Sequence, residues 1–181
     1  MRTNGIIEEF RDGVFSLRTR RFGKLAEIMI KKKYKLEYSK KSNYDLQDNN
    51  GQRIEVKFST VLNKCHKRIN EKTVVKECIA SNVANRAMKS VDIANEKFDC
   101  NIQQIKCSEF DVLYYGLFFL DEIRIYKMTS QQVLSAPGYS NKQHRGNTGE
   151  GQFHIKNDSM EYHKSYLIDT LSYEDLYKLL E

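Results

Sequence analysis

Residues 42–59 read SNYDLQDNNGQRIEVKFS and predict two short strands joined by a turn. The first strand covers residues 44–46, and the segment 48–51 is rich in residues that form turns. Residues 53–58 then alternate polar and apolar side chains at the period of a β-strand. The stretch therefore indicates a β-hairpin with one apolar face and one charged face.

The charged face of this hairpin carries the residues that suggest a reaction. Glu55 and Lys57 face the same side of the second strand, and Asp45 comes one strand earlier, so strand pairing can bring its carboxylate beside that of Glu55. Two carboxylates beside an ammonium form a small site for a hard cation, which suits Mg²⁺-assisted attack of water on a phosphodiester. The alternative is a solvated charge pair on the exposed face of an ordinary hairpin.

The pattern Asp-x9-Glu-x-Lys resembles that of the PD-(D/E)xK nuclease superfamily, which includes restriction endonucleases, Holliday-junction resolvases and repair nucleases. The matching residues are Asp45, Glu55 and Lys57, and Tyr44 stands where the family often has proline. The resemblance implies that Asp45, Glu55 and the carbonyl of Val56 bind Mg²⁺. It also implies that Lys57 orients or deprotonates the attacking water, and that hydrolysis leaves 5′-phosphate and 3′-hydroxyl ends.

Upstream of the hairpin, residues 20–33 predict an amphipathic helix and residues 34–38 a strand. The apolar stripe of this helix contains Phe22, Leu25, Ile28 and Met29. Glu27 lies beside the stripe, where the nuclease family often places a glutamate that reaches toward the metal site. The alternative for Glu27 is an ordinary surface position. Residues 1–18 predict a helix broken near Gly13.

Downstream of the hairpin, residues 71–90 predict a long helix and residues 91–108 a polar, irregular excursion. Residues 112–119 and 122–128 predict two strands, the first apolar almost throughout and therefore buried on both faces. This order of elements, over residues 20–128, also resembles the nuclease family. We therefore expect an α/β protein with a single nuclease domain, residues 1–181, and a mixed central β-sheet flanked by helices, as in restriction endonucleases.

The C-terminal part, residues 129–181, contains an unusual segment at 138–151, GYSNKQHRGNTGEG. Its side chains include the donors and acceptors that bind base edges, and we expect it to contact DNA unless it is simply a flexible surface loop. If the segment is extended, alternate side chains point to the same side. A basic run in 61–68 either lies over a phosphate backbone or is a solvated connection. The expected DNA-contacting residues are Lys64, Lys67, Arg68, Lys142, Gln143, His144, Arg145 and Asn147.

Composition agrees with a folded protein that has a polyanionic partner. The 181 residues are 40% hydrophobic, with eleven tyrosines and nine phenylalanines, and the formal net charge is +6. The four cysteines and four histidines match no common zinc spacing, which favours free thiols in a reducing compartment. No apolar run approaches the roughly 20 residues of a membrane span, so we expect a cytoplasmic protein with no membrane partner.

These observations predict a Mg²⁺-dependent, sequence-specific endonuclease of double-stranded DNA, of the type II restriction class. Cutting both strands of a palindrome requires a two-fold homodimer of so compact a chain. A Holliday-junction resolvase or repair nuclease of the same fold is an alternative, because the same active site serves all three. A non-catalytic DNA-binding module is the alternative from another class.

Overall fold

A computed structural model describes residues 2–63, 69–143 and 147–181. The strands are β1 (Glu37–Tyr38), β2 (Leu46–Gln47), β3 (Arg53–Thr60), β4 (Asp99–Ile105), β5 (Val112–Phe118), β6 (Ile123–Thr129), β7 (Gly151–Lys156) and β8 (Leu167–Leu171). The α-helices are α1 (Arg2–Phe15), α2 (Thr19–Tyr34), α3 (Val74–Ala80), α4 (Ser130–Leu134), α5 (Met160–Lys164) and α6 (Tyr173–Leu180). Short 3-10 helices cover Ala84–Arg86, Asp92–Ala94 and Asn157–Ser159.

Six strands form the central sheet, in the order β1-β2-β3-β5-β6-β8. Strands β3 and β5 run parallel, and the other neighbours in this sheet are antiparallel. Strands β4 and β7 form a separate two-stranded antiparallel ribbon. The expectation of a single mixed α/β domain, with a mixed central sheet flanked by helices, is confirmed.

The central sheet is the middle one of three layers. Helices α1, α2 and α6 cover one face, where Met29, Ile54 and Val56 belong to one apolar cluster. The β4–β7 ribbon, with α4 and α5, covers the other face around Tyr115 and Phe153. Strand β5 is buried along its whole length because both of its faces are covered. Since Ile54 and Val56 point toward the helices, the alternate side chains of β3 point toward the ribbon.

The expected hairpin forms, but its first strand is β2 (Leu46–Gln47) and not residues 44–46, so Asp45 lies just before the strand. Leu46 pairs with Ile54, and the Asp48 carboxylate accepts hydrogen bonds from the backbone N–H groups of Asn50 and Gln52, at 2.9 and 2.8 Å. Gly51 has a φ of 77°, a conformation that glycine adopts without a steric penalty. The side-chain bonds of Asp48 and the freedom of Gly51 thus fix the turn and, with it, the register of β3.

The expected long helix over residues 71–90 is wrong. Only α3 forms, and the chain then turns, because the Asn82 side chain accepts a hydrogen bond from the Ala84 N–H in place of a helical carbonyl. Val75 and Ile79 are 70% and 63% exposed, so their apolar pattern does not reflect burial in the described structure. This element therefore no longer supports the resemblance to the nuclease family.

Three further expectations need correction. Residues 91–108 are not simply irregular, because they contain β4. This strand pairs with β7, about 50 residues further along the chain, and no local pattern shows that pairing. The strand expected at 34–38 shrinks to β1, since α2 continues to its end at Tyr34. Helix α1 runs through Gly13 without a break.

Two helices in the last third of the chain begin at capping residues. Thr129 caps α4 through a reciprocal pair of bonds with Gln132, and Ser172 caps α6 in the same way with Asp175. Across residues 2–63, 69–143 and 147–181, no helix has the length and apolar character needed to span a membrane.

Candidate active site and metal centre

The three motif residues meet where β2 begins beside β3. The Asp45 N–H donates to the Ile54 carbonyl at 3.1 Å, and Asp45 Oδ2 accepts a hydrogen bond from the Val56 N–H at 2.9 Å. The side chain of Asp45 thereby extends the pairing with β3 by one contact beyond Leu46, the first residue of β2. This contact fixes the carboxylate against β3, one residue from Glu55 and one from Lys57.

Glu55 and Lys57 lie on the ribbon-facing side of β3. Lys57 Nζ is 2.5 Å from Glu55 Oε1, and the two side chains are only 25% and 12% exposed. The charge of Lys57 acts on Asp45, and the charge of Asp45 acts on both Glu55 and Lys57. The structure therefore brings together the two carboxylates and the ammonium that the sequence predicts.

Burial dominates the electrostatics of this group. Burial raises the pKa of Glu55 well above its usual range, the nearby Asp45 carboxylate raises it further, and Lys57 opposes the shift. Burial also raises the pKa of Asp45, against the effects of Lys57 and the Val56 N–H. For Lys57, burial disfavours the ammonium, but the two carboxylates outweigh it and raise the pKa. Two carboxylates share one ammonium, so an additional cation would relieve their repulsion.

Glu27 lies on α2 close enough to influence the site. Its carboxylate is 2.7 Å from Lys24 Nζ and is 23% exposed. Its negative charge contributes to the raised pKa of both Asp45 and Lys57. Lys24 is the partner that Glu27 contacts directly, and a role for Glu27 at the site stays a prediction.

Two openings meet at Lys57. The smaller, about 270 Å³, holds Asp45, Glu55 and Lys57. The larger, a cleft of about 580 Å³, runs along β3 as far as Thr60, between the first turns of α2 and the side of β4. Lys57 and Gln104 line both openings, so a substrate extending along the cleft reaches the carboxylates.

The oxygen atoms at this site fit a hard cation. Because the N–H and C=O of a strand residue point to the same neighbour, the Val56 carbonyl is directed to the side on which Asp45 lies. Asp45, Glu55 and this carbonyl make an all-oxygen set, and Mg²⁺ in proteins is usually bound by one or two carboxylates and several waters. Among the described residues, no group of three or more His, Cys, Asp or Glu side chains is placed to bind a metal.

The predicted DNA-contacting residues are only partly described. Lys142 and Asn147 are exposed, whereas Gln143 is half-buried and donates to Glu150 Oε2 at 3.0 Å. The remaining members of the set lie outside the described residues: Lys64, Lys67, Arg68, His144 and Arg145.

Residues 138–151 do not meet the condition of an extended segment, under which alternate side chains would point to the same side. Gln143 N–H donates to the Glu150 carbonyl, and Gly149 N–H donates to the Asn141 carbonyl, so the segment folds back on itself. Gln143 and Asn147 therefore lie on opposite arms of a hairpin. Whether either contacts DNA stays a prediction.

Four residues that the sequence did not single out also line the smaller opening. They are Gln104, Lys106, Glu109 and Glu150. Lys106 Nζ lies 3.8 Å from Glu109 Oε1 and 3.9 Å from Glu150 Oε1. No local pattern marks them, because Gln104, Lys106 and Glu109 belong to β4 or the segment after it and Glu150 precedes β7, so their proximity depends on pairings between distant parts of the chain.

Comparison with models of known protein families and with curated proteins finds no match for this chain. The resemblance to the PD-(D/E)xK superfamily therefore depends on Asp45, Glu55 and Lys57. Their placement at one end of a cleft is the observation on which a function can be based.

Proposed function

We propose that this chain is a Mg²⁺-dependent endonuclease of double-stranded DNA with a restriction-endonuclease-like fold, acting in the cytoplasm. The observation that carries the proposal is the convergence of Asp45, Glu55 and Lys57 in a shielded site that opens into a cleft. A solvated charge pair, by contrast, would not be expected to have side chains as little exposed as 12% and 25%.

Each residue has a distinct task in this proposal. Asp45 and Glu55, with the carbonyl of Val56, would hold Mg²⁺. The ion would supply Lewis-acid stabilisation of the charge that develops at the phosphate. The Val56 N–H keeps Asp45 in position, which reduces the rearrangement needed during the reaction. Lys57 presents N–H donors that orient the attacking water or bind a phosphate oxygen.

Charge and the shape of the cleft favour DNA as the substrate. The net charge of +6 favours a polyanion, and the cleft provides a path that leads past Lys57. Lys142 and Asn147 are exposed on the 138–151 hairpin, whose residue Glu150 lines the smaller opening. Site-specific cutting of both strands would require a two-fold homodimer.

The test is incubation of the purified protein with supercoiled plasmid, linear duplex and a four-way junction, each with and without Mg²⁺. Discrete fragments with 5′-phosphate and 3′-hydroxyl ends are expected from plasmid and from duplex. Asp45→Asn should remove this activity. Glu161→Gln is the matched control, because its carboxylate is 84% exposed on α5 and bonds only to a surface lysine in the described structure.

The outcomes separate the alternatives. Cleavage of the junction alone would replace the proposal with a resolvase. Binding without cleavage, at any Mg²⁺ concentration, would make the chain a DNA-binding module. Activity that survives Asp45→Asn would remove this site from consideration.

A further inference from the structure

The β4–β7 ribbon has one apolar and one polar face. Its inner face packs Ile102 and Phe153 into the core beneath the central sheet. Strand alternation directs the intervening side chains outward. These outward positions are Asp99, Asn101 and Gln103 on β4, and Gln152, His154 and Lys156 on β7.

Three carboxamides lie together on this outer face. Gln103 and Gln152 are direct cross-strand partners, and Asn101 Nδ2 donates to Gln152 Oε1 at 3.1 Å and to Gln103 Oε1 at 3.4 Å. These bonds hold the two glutamine side chains next to each other. The result is a small, ordered surface of neutral donors and acceptors.

A bulge at Gln104 connects this surface with the candidate active site. The pairing register of β4 with β7 shifts between Gln103 and Ile105, and Gln104 has a φ of 59°. Residues other than glycine seldom adopt this left-handed conformation, and both bulges and strained residues concentrate near functional sites. Gln104 lines the smaller opening with Asp45 and also the cleft, whose wall continues along β4 through Gln103 and Asn101.

We propose that the outer face of the β4–β7 ribbon reads base edges in the major groove of DNA, with Gln103 and Gln152 as the specificity-determining residues. This inference rests on the proposed nuclease function. A two-stranded ribbon fits the width of the major groove, and glutamine or asparagine can bind adenine through its N6 and N7 atoms. DNA with a phosphate at Lys57 would extend along the cleft, past the amides of β4.

The chemistry of the surface favours base recognition over a general backbone clamp. Affinity for the phosphate backbone comes from lysine and arginine, which neutralise charge. Among the described residues that line the cleft, the cations are Arg20 and Lys57, whereas β4 contributes amides. A neutral amide adds little attraction for phosphate, but it distinguishes one base from another.

The experiment first identifies the preferred sequence and then removes single amides. Wild-type protein selects duplexes from a random library in Ca²⁺, without any need for cleavage, and the selected site is then cut in Mg²⁺. Gln103→Ala and Gln152→Ala should each cut that site about 5- to 150-fold more slowly, and bind scrambled duplex unchanged, since a bidentate base contact contributes this much discrimination. Gln131→Ala removes an exposed amide from α4 and is the matched control. Thermal melting checks that the variants fold.

Base analogues identify the contacted atom. Replacing each adenine of the site by 7-deazaadenine, which lacks N7, should slow the wild-type protein at one or two positions. Gln103→Ala or Gln152→Ala should show no additional loss at its own position, because both changes remove the same contact.

Each failure has its own meaning. If wild-type protein neither binds nor cuts DNA, the proposed nuclease function fails, and this inference fails with it. If wild-type protein cuts at a defined site and both glutamine variants keep the same rate and preference, only the ribbon assignment is overturned. Cleavage without sequence preference, or equal loss on selected and scrambled duplexes, also overturns it.

Discussion

Asp45 Oδ2 accepts a hydrogen bond from the backbone N–H of Val56 at 2.9 Å, so one carboxylate both closes a strand pairing and faces the candidate metal site. A substitution can separate these two tasks, which are accepting the Val56 N–H bond and supplying negative charge for a cation. An amide oxygen can accept the same N–H bond, but it carries no charge for a cation. Asparagine therefore preserves the structural contact and removes the proposed metal-binding charge, whereas alanine removes both.

This separation gives a prediction for Asp45. Asp45→Asn should lower DNA cleavage by more than about 100-fold, since even residues that only support metal ligands contribute about 10–100-fold. Its thermal stability should remain close to that of the wild type. Asp45→Ala should be equally inactive and also less stable by about 1 kcal/mol, because the buried N–H loses its partner. Plasmid cleavage and urea unfolding measure the two effects, and an active Asp45→Asn would contradict the assignment.

A second prediction concerns cations. If Asp45 and Glu55 bind Mg²⁺ only in the folded state, Mg²⁺ should raise the Tm, by an amount equivalent to about 2.7 kcal/mol at a concentration 100 times the Kd. The double variant Asp45→Asn with Glu55→Gln should lose this shift, while Glu161→Gln keeps it. An equal rise in Tm for the wild type, the double variant and Glu161→Gln would show that Mg²⁺ binds at another site.

Ca²⁺ provides a related test of the site. It takes the same oxygen ligands with a larger and looser coordination shell, so it should support DNA binding without cleavage. Electrophoretic mobility shift in Ca²⁺, followed by addition of Mg²⁺, measures binding and cleavage on the same sample. Equal cleavage rates in the two ions would be inconsistent with a compact site of two carboxylates.

The third prediction concerns Lys57. Lys57→Ala should cleave poorly but still show the Mg²⁺-dependent rise in Tm, because both proposed carboxylate ligands remain. Lys57→Arg keeps the charge but replaces a compact ammonium by a planar guanidinium, and it should not restore cleavage. Lys164→Ala, on the exposed surface of α5, is the control. Normal cleavage by Lys57→Ala would show that the lysine has no role in the reaction.

The sequence predicts local features of this protein well. The alternation in residues 53–58 and the turn at 48–51 both depend on neighbouring residues, and both are found in the structure. The sequence also predicts that Asp45 and Glu55 converge, because a tight hairpin determines which residues of its two strands lie side by side.

The features that the sequence does not predict depend on contacts between distant parts of the chain, or on the absence of such contacts. The sequence of β4 does not predict a strand, because amide side chains, which are typical of loops, alternate with its core residues. Its partner β7 is also remote in sequence. Conversely, Val75 and Ile79 suggested an apolar helix face, yet they are exposed. Gln104 carries no local signal at all, because its importance comes from the bulge that directs it toward the site.

A fourth prediction tests the packing beneath the site. A Cβ added to Gly116 on β5 would collide with the backbone carbonyl of Arg124 and the ring of Phe58, so Gly116→Ala should destabilise the protein by about 1–3 kcal/mol or more. Gly13→Ala is the opposite control. Its added Cβ meets only open space on α1, and it should stabilise by about 0.4–1 kcal/mol. Urea unfolding compares the two, and equal effects would contradict the close approach at Gly116.

The last prediction concerns pH and the fully buried His163. Its ring stacks on Phe153, its Nδ1 lies 2.9 Å from the Tyr115 hydroxyl, and burial lowers the pKa of the imidazole to about 4. The unfolded chain, with an ordinary pKa near 6.5, binds the proton more readily between these values, so stability should fall as pH drops from about 6.5 to about 4. The slope contributed by this residue approaches about 1.4 kcal/mol per pH unit.

His163→Phe removes this proton-binding group while retaining the aromatic packing around Phe153. The variant should be less stable than the wild type at pH 7, because the Tyr115 hydroxyl loses a hydrogen-bond partner. The difference in free energy of unfolding between the two proteins should decrease steadily as the pH is lowered, because only the wild type loses stability through His163. The raised pKa values of Asp45 and Glu55 act in the opposite direction, and they cancel in the comparison because both proteins contain them. Free energies of unfolding at pH 7, 6 and 5 measure this difference in stability, and parallel pH profiles would show that the pKa of His163 is the same in the folded and the unfolded protein.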